Sequence, residues 1–112
     1  MLPKLFRLTK EKDFNRVYKK GKFFAQDFLM CKIAENNFSF SRFGIVVGLK
    51  ISKRANKRNL IKRRLREAIR LKIKDIKKGF DVVMMVRPEI VGKNFSEIDK
   101  ALIKLFKKAS LL

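Results

Sequence analysis

Between Ala55 and Arg70 the sequence ANKRNLIKRRLREAIR sets Lys57, Arg58, Lys62, Arg63, Arg64, Arg66 and Arg70 against one acid, Glu67. A guanidinium forks onto phosphate oxygens and stacks on exposed bases, whereas lysine acts more as a point charge. Asn59 adds an amide that both donates and accepts, suited to a 2′-hydroxyl or a base edge. Residues of these types at this density point to a phosphate-bearing polymer as the ligand. Other chemistry has few candidates. The chain has no histidine and one cysteine, Cys31. This excludes an intramolecular disulfide, a Cys-rich zinc site and Ser/His or Cys/His nucleophilic catalysis. Its ten acidic residues, scattered mostly among lysines, form no carboxylate cluster suited to two-metal hydrolysis.

On a helical wheel starting at Leu60, Ile61, Leu65, Ala68, Ile69 and Ile76 fall within one stripe at roughly 80–180°. Asn59, Lys62, Arg63, Arg66 and Arg70 fall beside it at roughly 200–300°. Arg64 lands on the other flank, and Arg58 near the stripe itself, where it can anchor the helix start and reach a phosphate only by its tip. Lys62/Arg66 and Arg66/Arg70 are like-charge pairs at i, i+4, each costing an isolated helix about 0.2–0.5 kcal/mol. An ordinary solvated face alternates signs and this one does not. A polyanion would neutralise the repulsion.

The whole chain shares the bias. Its 112 residues carry a net charge of +20, while 46% hydrophobic residues mark a sequence that folds. That length suits one domain. No apolar run approaches the ~20 residues of a membrane span, and MLPKLFRLTK lacks the pattern of a secretory signal. A cytoplasmic, nucleic-acid-binding protein is the expectation.

The elements that must position these side chains read as follows. A first helix follows Thr9 as N-cap, with Glu11 and Asp13 early, Lys19 and Lys20 late, Gly21 beyond, and Phe14, Val17 and Tyr18 as its apolar stripe. A hairpin is expected from a strand near 28–34, a turn at Glu35-Asn36-Asn37 and a strand at about 42–49. The basic helix is expected from about 54 to 77, with Gly79 as its stop. FDVVMMVR reads as a central strand ended by Pro88. A last amphipathic helix begins near Ser96 as N-cap. The order is α-β-β-α-β-α, with room for a short extra strand around 38–40. This is an α+β sandwich of helices on one small mixed sheet.

The run Ala55, Arg58-Asn59, Lys62-Arg63 and Arg66-Glu67, preceded by FGIVVGLKISKR, resembles the signature of the protein subunit of bacterial ribonuclease P. RLTKEKDFNRVYKKGK, GFDVVMMVRPE and LIKLFKKASLL are similar to that family's first helix, last strand and closing helix. Gly48-Leu49-Lys50 stands where the family usually has Ser-Lys-Lys, and Cys31 aligns with an often aromatic position of its cleft.

The resemblance implies an α-β-β-β-α-β-α sandwich with a left-handed βαβ crossover around the basic helix. It implies a protein that is not itself catalytic. The RNA subunit of the holoenzyme, an endoribonuclease, would hold Mg2+ and hydrolyse the bond releasing the 5′ leader of precursor tRNA. Lys50, Lys53, Arg54, Arg58, Asn59, Lys62, Arg63, Arg66 and Arg70 would then contact RNA. Phe14, Tyr18, Cys31 and Arg42 would line or border a leader-binding cleft. Read from spacing alone, Phe14 and Tyr18 equally suit a core, and Cys31 a buried small hydrophobe. A ribosomal protein, a DNA-binding regulator, a membrane-surface binder and a free-standing nuclease are the rival classes. Motif spacing separates the first from the family reading; composition does not.

Overall fold

Acids in the first turn and lysines in the last bound α1, Glu11–Lys20, in this computed structural model, which describes residues 2–112. Lys10 rather than Thr9 occupies the N-cap, with no side-chain hydrogen bond. The Gly21 N–H closes the helix on Val17 O at 2.7 Å. Directly after it comes β1, Lys22–Gln26, which pairs antiparallel with β2, Leu29–Glu35, through a tight turn at Asp27 (φ 54°).

This is the molecule's hairpin, and it lies earlier in the chain than the hairpin expected from sequence. The strand β3, Arg42–Val46, does not pair with β2 at all. Between them lies β4, Phe80–Val86, antiparallel to β2 and parallel to β3, giving the order β1-β2-β4-β3. β4 is apolar on both faces apart from Asp81, so the position with two neighbours and two covered faces is the one it can occupy. The stretch 38–40 forms bends, not a strand, because Asn36 binds its backbone: Asn36 Oδ1 accepts from Phe38 N–H (2.8 Å) and Asn36 Nδ2 donates to Phe40 O (3.1 Å).

The basic helix α2, Ala55–Lys72, connects parallel β3 to β4 and so forms a βαβ unit. It is shorter than expected. Turns after Lys72 fold Ile76 back into the core, where it is 3% exposed. The last helix, α3 (Phe95–Lys108), starts at Asn94 and not Ser96: Asn94 Oδ1 accepts from Glu97 N–H (2.9 Å), and Glu97 Oε1 accepts from Asn94 N–H (3.2 Å).

Strand alternation divides the core. Leu29, Cys31 and Ile33 of β2 join Val82, Met84 and Val86 of β4 and Phe43 of β3 under α2 and α3. The opposite face carries Ala34 and Val83 with Leu8 and Val17, packed by Phe14 and Met85, beneath α1. The two layers are pinned at Asp81, wholly buried at the start of β4. Arg42 donates to it from Nε (2.9 Å) and NH2 (2.7 Å), Asn36 Nδ2 donates at 2.9 Å, and Arg16 of α1 reaches the same carboxylate.

A buried carboxylate is tolerated only when its oxygens are so occupied. Asp81→Ala strands two arginines, and is expected to lower the unfolding free energy by about 3–5 kcal/mol, seen as a fall in the urea midpoint. Arg42→Met leaves Asp81 with Arg16 and Asn36 and should cost less.

Candidate nucleic-acid interface

α2 exists as a helix because Ile61, Leu65, Ala68 and Ile69 bury one stripe against the sheet and α3. Its start is built from the backbone before it. The Ser52 carbonyl accepts from Arg58 NH1 at 2.9 Å, and Ser52 Oγ accepts from Arg54 N–H at 3.2 Å. Arg58 is therefore an anchor of the helix start, and it is half-buried. Neither an acid in the first turn nor a side-chain cap balances the positive end of the helix dipole. Lys50, Lys53, Arg54 and Lys57 are exposed around it.

One turn further on, Asn59 and Arg63 are exposed, with Lys62 and Arg66 half-buried beside them. A residue that the sequence did not single out joins them. The segment before α1 lies along β3, with Leu8 N–H donating to Phe43 O (2.9 Å) and Arg7 bridging to Phe43. Arg7 itself is steadied by donating from Nε to Leu2 O at 2.8 Å. Arg7, Asn59, Arg63, Arg66 and Glu67 line one recess of about 420 Å³. Burial, and secondarily the charge of Arg7, push the Arg66 guanidinium below its ordinary pKa. An anion seated there would relieve both. No local pattern brings Arg7 to α2; strand-like FRL ahead of a helix cap was the one available sign.

Arg70 is in part withdrawn from this surface. Its Nε donates to Glu67 Oε1 at 2.6 Å, and the pair holds the Arg70 pKa up and the Glu67 pKa down. Arg64, on the far flank, donates to Lys93 O in the loop before α3.

The second expected site lies on the α1 face of the sheet. Phe14 and Tyr18 stand 6.4 Å apart, centroid to centroid, and Tyr18 is 37% exposed. Phe14 rests on Gly44, where an added Cβ would come within 2.6 Å of its ring, so only glycine lets the ring lie this close. By register, Met30, Met85 and Val46 occupy neighbouring positions on this face, and Val46 is exposed.

One residue assigned to this cleft is not in it. Cys31 has the opposite parity on β2, is fully buried among the α2/α3 core and cannot meet a ligand. The neighbouring Lys32 has the cleft parity and donates from Nζ to Tyr18 O at 2.8 Å. Arg42 lies on the cleft face by register, and its guanidinium is held by Asp81 and lies 3.5 Å from Asp13, so much of its charge is used within the fold. Among the described residues, no group of three or more His, Cys, Asp or Glu converges as a metal site, and no helix is long and apolar enough to cross a membrane.

Residues 2–110 match the family model described as Ribonuclease P. The chain belongs to that family. It is 40% identical over 105 residues to the ribonuclease P protein component of Clostridioides difficile, covering 93% of this chain and 91% of that one. It is 38% identical over 112 residues to that of a Synechocystis species, covering 99% and 90%. The fold agrees with a Staphylococcus aureus RNase P protein mutant, at TM-score 0.91 and 29% identity, covering 97% of this chain and 92% of that one. It also agrees with the Thermotoga maritima RNase P protein, at TM-score 0.84 and 32% identity, covering 91% of this chain and 96% of that one. The family places the chain in tRNA processing as a ribonucleoprotein component.

Burial pushes the Cys31 thiol up to about 12. The folded chain thus keeps a proton that the unfolded chain loses above the ordinary value near 9. Iodoacetamide should leave native Cys31 untouched at pH 8 and alkylate it in guanidinium. Comparison with Cys31→Ala should show a loss of stability specific to the thiol, absent below about pH 8 and growing as the pH rises toward 12.

Proposed function

We propose that this chain is the protein subunit of a bacterial ribonuclease P, working in the cytoplasm, that binds the catalytic RNA and the 5′ leader of precursor tRNA. The observation that carries the proposal is the flank of α2. Arg63, Arg66 and Arg7 converge around Asn59 with one acid, Glu67, which already holds Arg70. A surface of this kind suits a phosphate backbone, with Lys50, Lys53 and Arg54 extending it past the open helix start. The cleft of Phe14 and Tyr18 offers apolar and aromatic surface without a fixed donor pattern. That suits leaders, which differ in sequence while every base has a π-face.

The residues present do not fit a magnesium site. Both oxygens of the deepest carboxylate, Asp81, are taken by protein donors, and among the described residues no group of three or more His, Cys, Asp or Glu converges. In this reading the metal ions and the attack on phosphorus belong to the RNA subunit. The protein's part is to neutralise phosphate repulsion and to hold the leader in place.

The decisive test is cleavage of precursor tRNA by a bacterial ribonuclease P RNA at low magnesium, with and without the protein, on leaders of about one and about eight nucleotides. Stimulation that rises with leader length is expected, and Tyr18→Ala should abolish the rise. Without stimulation by any cognate RNA the subunit reading falls and a ribosomal role replaces it. Cleavage by the protein alone would instead establish a nuclease. If about six phosphates are neutralised, log K should fall with log[salt] at a slope of about −4 to −5, and Arg63→Ala should flatten it by about one.

A further inference from the structure

The loop between β2 and β3 carries an aromatic row outside both surfaces described above. Phe6 meets Phe40 edge-on at 6.1 Å between centroids, and Phe40 stacks on Phe38 at 5.3 Å and 14°. The Arg42 guanidinium lies 4.8 Å from the Phe38 centroid, yet Phe38 remains 48% exposed. Single exposed apolar residues are common on protein surfaces. This one differs in being held rigidly. Asn36, 8% exposed, ties the loop to Asp81 and to the backbone of Phe38 and Phe40. At the far end Ser41 Oγ donates to Lys77 O (2.7 Å) and accepts from Phe80 N–H (3.0 Å).

Beside the row, Phe6, Phe40, Ile73 and Ile76 wall a recess of about 380 Å³ whose rim carries Lys74 and Lys78. Lys10 and Lys12 stand on the other side of Phe38. The recess offers apolar and aromatic walls with cations at the edge, and its one hydroxyl, Ser41, is already bonded twice. Such a site recognises stacking and charge, with no fixed code of donors and acceptors.

We propose that the shelf of Phe6, Phe40 and Phe38 is a second docking surface for an unpaired RNA strand, with a base in the Phe6–Phe40 recess and its phosphates on Lys74 and Lys78. The partner follows from charge complementarity. Lysines flank the row on both sides, and a second copy of a chain with net charge +20 would be repelled. Arg7 directly follows Phe6, so the shelf continues the arginine flank of α2 and lengthens the track available to a single strand. The proposal rests on the RNA-binding reading given above and extends it.

The test is equilibrium binding of the full chain to a single-stranded uridine oligomer of about twelve nucleotides and to an abasic sugar-phosphate oligomer of equal length. Both are measured in a Tyr18→Ala background, so that the α1 cleft does not contribute. The uridine oligomer should bind more tightly, by roughly 5- to 150-fold per stacked base. Phe40→Leu, which keeps apolar bulk but removes the aromatic wall of the recess, should erase at least about fivefold of that preference and leave abasic binding unchanged, which also shows that the variant is folded. Lys74→Ala should weaken both oligomers and flatten their salt dependence.

Equal binding of the uridine oligomer by chains with and without Phe40→Leu overturns the shelf while leaving the arginine flank intact. A Phe40→Leu change that converts a sedimenting dimer to a monomer without altering RNA affinity overturns it in favour of self-association. Failure of every chain to bind either oligomer, or the ribonuclease P RNA itself, removes the RNA-binding reading and the shelf with it.

Discussion

One buried carboxylate decides how the layers of this protein meet. Asp81 sits inside a strand that is otherwise apolar, and an ionised group there would be costly without partners. Its partners come from three places far apart in the chain: Arg16 on α1, Asn36 in the loop before β3, and Arg42 at the start of β3. Satisfying Asp81 therefore fixes the seat of α1 on the sheet, the path of the β2–β3 loop and the beginning of the parallel pair. Both the Phe14/Tyr18 cleft and the aromatic row are placed by those three elements.

The same arrangement explains how a chain of net charge +20 keeps its cations open where they are useful. Acids are scarce, and several are committed inside the fold. Asp81 and Asp13 hold Arg42, Asp99 holds Lys72 between α2 and α3, and Glu97 closes the cap of α3. On α2 a single acid, Glu67, is present, and it holds Arg70. The repulsion along that helix is borne by tertiary contacts. Its apolar stripe is buried, Arg58 is tied to Ser52, and Lys72 to Asp99 and the Ala68 carbonyl.

What was legible in the sequence was local. The wheel of α2 separated its buried stripe from its cationic flank correctly, and the apolar FDVVMMV run identified the central strand. The motif spacing identified the family. What was illegible depended on distant partners. KFFAQ lacks period-2 alternation because β1 is an edge strand with Phe23 left exposed, so it did not read as a strand. Asp81 drew no notice in the sequence because its three partners lie 39 to 65 residues away. Arg7 reaches α2 only through the bridge to Phe43. The misplacement of Cys31 was avoidable: on a strand, parity alone puts it on the face opposite Lys32 and Met30.

The exposed apolar surface on the α1 face follows from the size of the covering helix. Ten residues of helix span about 15 Å, whereas a four-stranded sheet with seven-residue central strands presents a face about 14 Å by 23 Å. α1 is held through Arg16 to Asp81 and stopped at Gly21, which the register puts at the same end of the strands, so it does not cover the remainder. The other face faces no such shortage, because α2 and α3 together lay thirty-two helical residues over it, 18 and 14. Stability is thus concentrated on one side of the sheet. The other side keeps Tyr18, Val46 and Phe23 in solvent at modest expense, because the core beneath α2 and α3 closes without them. The sheet thus has one face filled, which holds the arginine flank of α2 in place, and one face left partly unfilled beside a short helix.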